Sequence, residues 1–334
     1  EGQAGRVTLN RPEALNALSH EMALEIEAAL DAWRDDAGVT LIIIDATGDK
    51  AFCAGGDIQK LYASGKSGDL DFGRNFWRDE YRLNAKIADY PKPYIALMDG
   101  IVMGGGVGVS AHGSHRIVTE RSIIAMPEVG IGFLPDVGGT YLLSRSPKRL
   151  GEYLGLTGAR MNAADAITAG FADVFVSVKN VEDLIAALCE KSISALEHFA
   201  DQPPAGQLES RIGSITDVFN GHSVREIVNA LEDHPSDWAK DALKLINRVS
   251  PLSAACALAA IRKARSLTSL KECLALEYRF AHRAMEKSDF VEGIRAQVID
   301  KDRDAHWQHA SHGDVEEGDM TSMFAPLGVD ELTF

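Results

Sequence analysis

From Arg6 to Leu9 polar and apolar residues alternate, and the alternation stops at Asn10-Arg11-Pro12, which predicts a short strand closed by a turn. The period then changes. Leu18, Met22, Ile26, Leu30 and Trp33 recur at i+3 and i+4, predicting a helix with Ser19 as N-cap and Glu21 in its first turn. Leu41-Ile42-Ile43-Ile44 is an unbroken apolar run, the pattern of a strand covered on both faces. Tyr94 to Met98 and Arg116 to Val118 repeat it, each fenced by Gly, Pro or Asp. Strands alternating with helices predict an α/β fold with parallel crossovers. From about Val181 the helical period stands alone, through Leu184 to Leu196, Val224 to Leu231, Trp238 to Val249, Ala254 to Ile261 and Leu270 to Met285. Asp201-Gln202-Pro203-Pro204-Ala205-Gly206 reads as the linker, so an α/β core over residues 1–200 and a helical region over 201–334 are expected. The His-, Asp-, Glu- and Gly-rich stretch from Lys301 to Asp319 is expected on the surface.

Composition narrows the function. The chain has 334 residues, 46% of them hydrophobic and 25% charged, enough for a sizeable core without staples. The net charge of −15, with no block of Lys or Arg, argues against a nucleic-acid partner, although a local basic pocket for a phosphorylated small molecule remains compatible with it. Cys53, Cys189, Cys256 and Cys273 form no CxxC pair, so reduced thiols in a cytoplasm-like compartment are expected and no metal is implied. No apolar run has the roughly 18 residues needed to span a bilayer, and no signal or transit peptide is read at Glu1, so a soluble chain with no membrane partner is expected.

Three segments concentrate candidate chemistry. In Ala51-Phe52-Cys53-Ala54-Gly55-Gly56-Asp57-Ile58, paired glycines let the backbone approach a ligand and aim N–H groups at it. Gly100-Ile101-Val102-Met103-Gly104-Gly105-Gly106-Val107-Gly108 leads into small residues suited to start a buried helix, whose first N–H groups would face an anion or a developing oxyanion. Met126-Pro127-Glu128 through Pro135-Asp136-Val137-Gly138-Gly139 sets two carboxylates eight residues apart in an apolar stretch, where acids have raised pKa values and share proton chemistry. Each also has a plain reading. A glycine cluster alone is more often a tight turn, and Glu80, read alone, is a solvated helix acid.

Taken together, these segments and Asn10-Arg11-Pro12-Glu13-Ala14-Leu15-Asn16-Ala17-Leu18 resemble the crotonase superfamily, the enoyl-CoA hydratase/isomerase fold. Within it the likeness is greatest to the 3-hydroxyisobutyryl-CoA hydrolase branch, extending to Glu292-Gly293-Ile294-Arg295-Ala296, Ile299-Asp300-Lys301-Asp302 and Leu332-Thr333-Phe334. The resemblance implies a crotonase-like spiral of repeated ββα units followed by a C-terminal α-helical region. It also implies hydrolysis of a 3-hydroxyacyl-CoA thioester, with CoA as part of the substrate and no separate cofactor. Hydratases of the superfamily carry a second catalytic Glu where this chain has Gly108, and dienoyl-CoA isomerases an extra acid there, so both stand as alternatives with that departure against them. By the same resemblance Gly56 and Gly105 form an oxyanion hole, where each donor is worth roughly 10²–10³ in rate. Glu128 attacks the carbonyl or acts as base on water, with Asp136 as its proton-transfer partner. Glu80 contacts the 3-hydroxyl. Glu13, Ala14, Leu15, Asn16, Ala54, Gly55 and Asp57 cradle CoA. The branch is associated with valine breakdown, which places the protein in the cytoplasm, or the mitochondrial matrix of a eukaryote. The oligomeric state is left open, a homo-oligomer included.

Rival classes fit less well. Gly106-Val107-Gly108-Val109-Ser110-Ala111 matches the loose dinucleotide fingerprint of a nicotinamide-dependent oxidoreductase, but its glycines begin several residues after the strand. A non-catalytic CoA-binding scaffold would have lost its acids, and Glu128 and Asp136 are present.

Overall fold

The structure, a computed structural model, describes all residues, Glu1–Phe334. In chain order its strands are β1 (Ala4–Leu9), β2 (Leu41–Ala46), β3 (Ala51–Cys53), β4 (Tyr94–Met98), β5 (Ile101–Met103), β6 (His115–Val118), β7 (Ile123–Ala125) and β8 (Val174–Phe175). Its helices are α1 (His20–Arg34), α2 (Ile58–Ser67), α3 (Leu70–Ala88), α4 (Gly105–Gly108), α5 (Gly139–Arg145), α6 (Leu150–Thr157), α7 (Ala163–Ala169) and α8 (Val181–Glu190), then α9 (Ile212–Val218), α10 (Val224–Glu232), α11 (Asp237–Ile246), α12 (Pro251–Ala264), α13 (Leu270–Lys287), α14 (Phe290–Ile294) and α15 (Glu317–Phe324).

Two compact units interleave along the chain: Glu1–Gly56, Arg82–Ile124 and Arg160–Glu209 form the first, and Asp57–Tyr81, Ala125–Ala159 and Ser210–Phe334 the second. This differs from the single division expected at 200/201. The Pro-Pro stretch lies in a segment, 202–206, without helix or strand, whereas a compact unit follows packing, which need not respect chain order.

The first unit is built on a five-stranded sheet of order β1-β2-β4-β6-β8, and β3-β5-β7 form a second sheet of three. Neighbours in the larger sheet run parallel, in a register that sets Val7 opposite Ile44 and Ile44 opposite Ala96. After β2 the chain visits the two sheets in turn, so each circuit leaves one strand in each, as a spiral of ββα units requires. Leu41, Ile43, Ile95, Leu97 and Ile117 pack on one face with Leu184 and Leu188 of α8. Ile42 and Ile44, pointing to the other face, are also fully buried, which accounts for the unbroken apolar run. Ser19 caps α1 by accepting from the Met22 N–H, and Ile26 and Leu30 are buried. The short strands β3, β5 and β7 lie in or beside the glycine-rich segments, and at three residues each they give a period of two nothing to repeat over.

In the second unit the helical stretches read from sequence appear as α10 to α13. α12 packs on α5 and α6, and α13 on α15. α13 opens with a capping box in which Ser269 and Glu272 satisfy each other's backbone. From Lys301 to Glu316 the chain has no helix or strand and is largely exposed.

Candidate active site

In the first unit β3 ends at Cys53 and its parallel neighbour β5 at Met103, so Ala54-Gly55-Gly56 and Gly104-Gly105 both continue from carboxyl ends of adjacent strands. Such ends are where open parallel sheets place ligands. Glycine is required twice. Gly55 has φ of +123°, and a Cβ on Gly106 would lie 2.3 Å from the Cys53 carbonyl oxygen, so only glycine lets α4 lie against β3. The N–H groups of Gly56 and Gly105 donate to no acceptor within the chain, Gly105 being buried and Gly56 half-buried. Two uncommitted donors at neighbouring strand ends suit a developing negative oxygen.

The segment expected to cradle CoA is stitched to this corner. Leu15 and Asn16 take left-handed backbone, with φ of 52° and 54°. The Ala54 N–H donates to the Leu15 carbonyl at 3.1 Å, and the Leu18 N–H to that of Gly55 at 2.8 Å. Asn16 is buried, and its side chain donates to the Thr47 and Ala51 carbonyls at 2.9 and 2.8 Å while accepting from the Arg11 N–H at 2.8 Å. That amide is therefore committed to holding the loop. Glu13 and Leu15 are exposed and Ala14 half-buried. Asp57 opens the second unit as N-cap of α2.

The acids lie in the second unit. Glu128 opens a single 3₁₀ turn, Glu128–Ile131. Between it and Asp136, Phe133 stacks on Trp77 at 5.2 Å, meets Phe280 edge-on at 5.4 Å and lies 4.8 Å from the Phe290 ring. The stretch is also pinned where a Cβ on Gly132 would lie 2.3 Å from the Asp289 carbonyl carbon, and where Ser288 Oγ donates to the Gly132 carbonyl at 3.0 Å. Glu80 projects from α3 on the face shared with Trp77 and Tyr81, so it is a buried acid and not a solvated one. Relative exposures are 2% for Glu80, 6% for Glu128 and 6% for Asp136.

Tyr81 Oη donates to Asp136 Oδ2 at 2.7 Å. No hydrogen bond joins Asp136 directly to Glu128, and Glu80 Oε1 and Glu128 Oε2 are buried with no partner. Burial raises all three carboxyls. For Glu80 and Glu128 the Asp136 charge adds to it, and both rise well above the carboxylate range. Asp136 is raised by burial only to about 7, because the Tyr81 hydroxyl stabilises its charged form. Burial, with the Asp136 charge next, keeps the Tyr81 phenol protonated and able to donate. Near neutral pH such a group titrates as a unit, with its first negative charge on Asp136.

Sequence reasoning missed two members. Tyr81 follows Glu80 directly, and the signal was Trp77, Glu80 and Tyr81 sharing one helix face, which turns the acid inward. Glu277 is fully buried on α13 and accepts the Gly138 and Thr140 N–H groups at 2.8 and 2.9 Å. Its signal was a carboxylate interrupting the apolar stripe Leu270, Cys273, Leu274, Tyr278, Ala281 and Ala284.

Residues 4–324 match the family described as Enoyl-CoA hydratase/isomerase. Proteins named 3-hydroxyisobutyryl-CoA hydrolase, mitochondrial, are similar over the whole chain. That of Rattus norvegicus is 42% identical over 345 residues, covering 100% of this chain and 89% of the relative. That of Homo sapiens is 40% identical over 346 residues, with the same shares. Among solved structures, an enoyl-CoA hydratase from Rhodobacter sphaeroides 2.4.1 matches with a TM-score of 0.94 at 48% identity, covering 100% of this chain and 98% of the other. A carnitinyl-CoA dehydratase from Mycobacterium thermoresistibile matches with a TM-score of 0.96 at 44% identity, covering 100% and 97%.

Proposed function

Because the chain belongs to the enoyl-CoA hydratase/isomerase family, we propose that it acts on an acyl-CoA thioester and hydrolyses it, with 3-hydroxyisobutyryl-CoA as substrate and 3-hydroxyisobutyrate and CoA as products. The observation that carries hydrolysis over hydration is the make-up of α4. Gly105-Gly106-Val107-Gly108 offers no carboxylate at the place where the resemblance puts a hydratase's second acid, while Glu128 and Asp136 form a buried, interacting pair. The solved structures named for hydratase and dehydratase chemistry share the fold, and fold does not decide among reactions.

In this reading the N–H groups of Gly56 and Gly105 take the thioester carbonyl oxygen as it becomes an oxyanion. At rest the acid pair holds one proton, on Glu128, and one charge, on Asp136. Transfer of the proton to Asp136 through a bridging water, since no hydrogen bond joins the two directly, frees the Glu128 carboxylate to attack the carbonyl carbon or to deprotonate the attacking water. As the carbon–sulfur bond breaks, Asp136 gives its proton to the departing CoA sulfur; where Glu128 has attacked, water then adds to the mixed anhydride, gives a proton to Asp136, and the anhydride bond to Glu128 breaks to free the acid. The unpartnered oxygen of the neutral Glu80 carboxyl accepts a hydrogen bond from the substrate's 3-hydroxyl. CoA enters only as part of the substrate, and no further cofactor is proposed. The proposed setting is valine breakdown in the cytoplasm, or the mitochondrial matrix of a eukaryote; four buried free cysteines suit a reducing compartment.

A panel of thioesters tests the substrate. Release of CoA should be fastest from 3-hydroxyisobutyryl-CoA, slower from 3-hydroxypropionyl-CoA and at least about 100-fold slower from acetyl-CoA, because a buried acceptor left unpaired is costly. Equal rates across the panel would remove the role given to Glu80.

A further inference from the structure

Glu277 occupies a position that helix packing alone would give to an apolar residue. It lies in the apolar stripe of α13, fully buried. A carboxyl there is costly unless its oxygens are bound. They are bound by one short segment. Oε2 accepts the Gly138 N–H at 2.8 Å, and Oε1 accepts the Thr140 N–H at 2.9 Å together with the Thr140 hydroxyl.

These donors lie just after Asp136, at the end of an unusual reversal and immediately beyond it. Val137 has φ of 53° and Gly138 φ of 80°. Left-handed backbone is natural for the glycine but strained for a β-branched valine. Such strain persists only where the surroundings over-determine the conformation. Three donors from Gly138 and Thr140 held by one carboxylate supply that constraint from one side, and the Gly139 N–H, donating to the Asp136 carbonyl at 2.6 Å, supplies it from the other. Asp136 is the residue immediately before the reversal, so its direction follows from the turn.

We infer that Glu277 is a positioning residue for Asp136: by clamping the Gly138–Thr140 turn from α13, it holds Val137 in its strained conformation and keeps the Asp136 carboxylate aimed at the Tyr81 hydroxyl. A leucine would fill the same space and satisfy none of the three donors. The inference rests on the reading of Asp136 as the proton-transfer partner proposed above.

The test measures CoA release by Glu277→Gln and Thr140→Val, each in the wild-type and the Asp136→Asn backgrounds, alongside crystal structures of wild type and Glu277→Gln. Glu277→Gln should lower kcat about 10- to 100-fold with KM within about 3-fold, and lower the residual rate of Asp136→Asn by less than about 2-fold. Thr140→Val, which removes one donor and keeps both N–H groups, should lower kcat by about 3-fold and serves if the Gln variant does not fold. In Glu277→Gln crystals Val137 should leave positive φ, or the Tyr81–Asp136 hydrogen bond should be lost. A full kcat in Glu277→Gln, an equal loss in both backgrounds, or unchanged Val137 and Tyr81 geometry would overturn the inference. If wild type releases no CoA from any thioester, the proposed function fails, and the crystal structures still decide the positioning.

Discussion

The hydroxyl of Tyr81 donates to Asp136 Oδ2 at 2.7 Å, and both groups are buried. In a cluster where burial pushes every carboxyl up, this bond, with a weaker hydrogen bond from the Asp136 backbone, holds Asp136 to about 7. Tyr81→Phe removes a donor to the charged form, so the Asp136 pKa rises by about one unit. If activity needs Asp136 charged in the free enzyme, the acid limb of the kcat/KM profile moves to higher pH by the same amount. The loss is then largest near pH 6 and small above pH 8.5. A pH-rate profile of Tyr81→Phe checks this, and an unshifted limb would separate the tyrosine from the titrating group.

Glu128 and Asp136 should behave as one device. Glu128→Gln and Asp136→Asn should each lower kcat by about 10³-fold while CoA affinity stays within about 3-fold, because the acids act in the transition state. The double variant should lose little more than either single one. Multiplying losses, seen in steady-state kinetics of all four proteins, would mean that the two acids serve independent steps.

The raised Asp136 pKa also affects stability. An unfolded Asp titrates near pH 3.9, roughly three units below the folded value of about 7. A carboxyl whose folded pKa is raised supports the fold while protonated, so its contribution is full below about pH 4 and is lost as pH rises through 7. Asp136→Asn should therefore melt with the wild type near pH 4 and above it at pH 8, by an amount on the order of a few kcal/mol. Melting curves across that range test the sign, and a variant less stable at pH 8 contradicts it.

At the other candidate corner, Gly106→Ala drives a Cβ to 2.3 Å from the Cys53 carbonyl, so β3 and α4 must separate. Stability should fall by about 1–3 kcal/mol, and kcat more than KM. Gly130→Ala, with nothing within 4 Å of the new Cβ and no positive φ, is the control and should melt within about 0.5 kcal/mol of wild type. Thermal melts and kinetics on both variants decide whether the close approach matters to the reaction.

What the sequence made legible follows from how long each pattern runs. The four-residue apolar run Leu41 to Ile44 and the spaced face of α1 carry enough repeats to name a buried strand and a capped helix, and Ser19 caps as its chemistry predicts. β3, β5 and β7 are too short for a period to show. Glu80 was legible only through resemblance, since one carboxylate in Arg78-Asp79-Glu80-Tyr81 looks solvated until the neighbouring aromatic positions on the same helix face are counted. Tyr81 and Glu277 escaped because their parts are set by partners 55 and 139 residues away along the chain. Asn16 is the opposite case. The resemblance set it in the cradle for CoA, and its amide is spent on the loop's own backbone.

Hydrolysis in place of hydration is tested most directly by one paired measurement. Purified protein is given 3-hydroxyisobutyryl-CoA with a thiol reagent to follow free CoA, and separately crotonyl-CoA with ultraviolet absorbance to follow loss of the double bond. Rapid CoA release in the first assay, abolished in Glu128→Gln, with crotonyl-CoA left essentially unhydrated, is the predicted result. Brisk hydration of crotonyl-CoA with no CoA released from the hydroxyacyl thioester would contradict it.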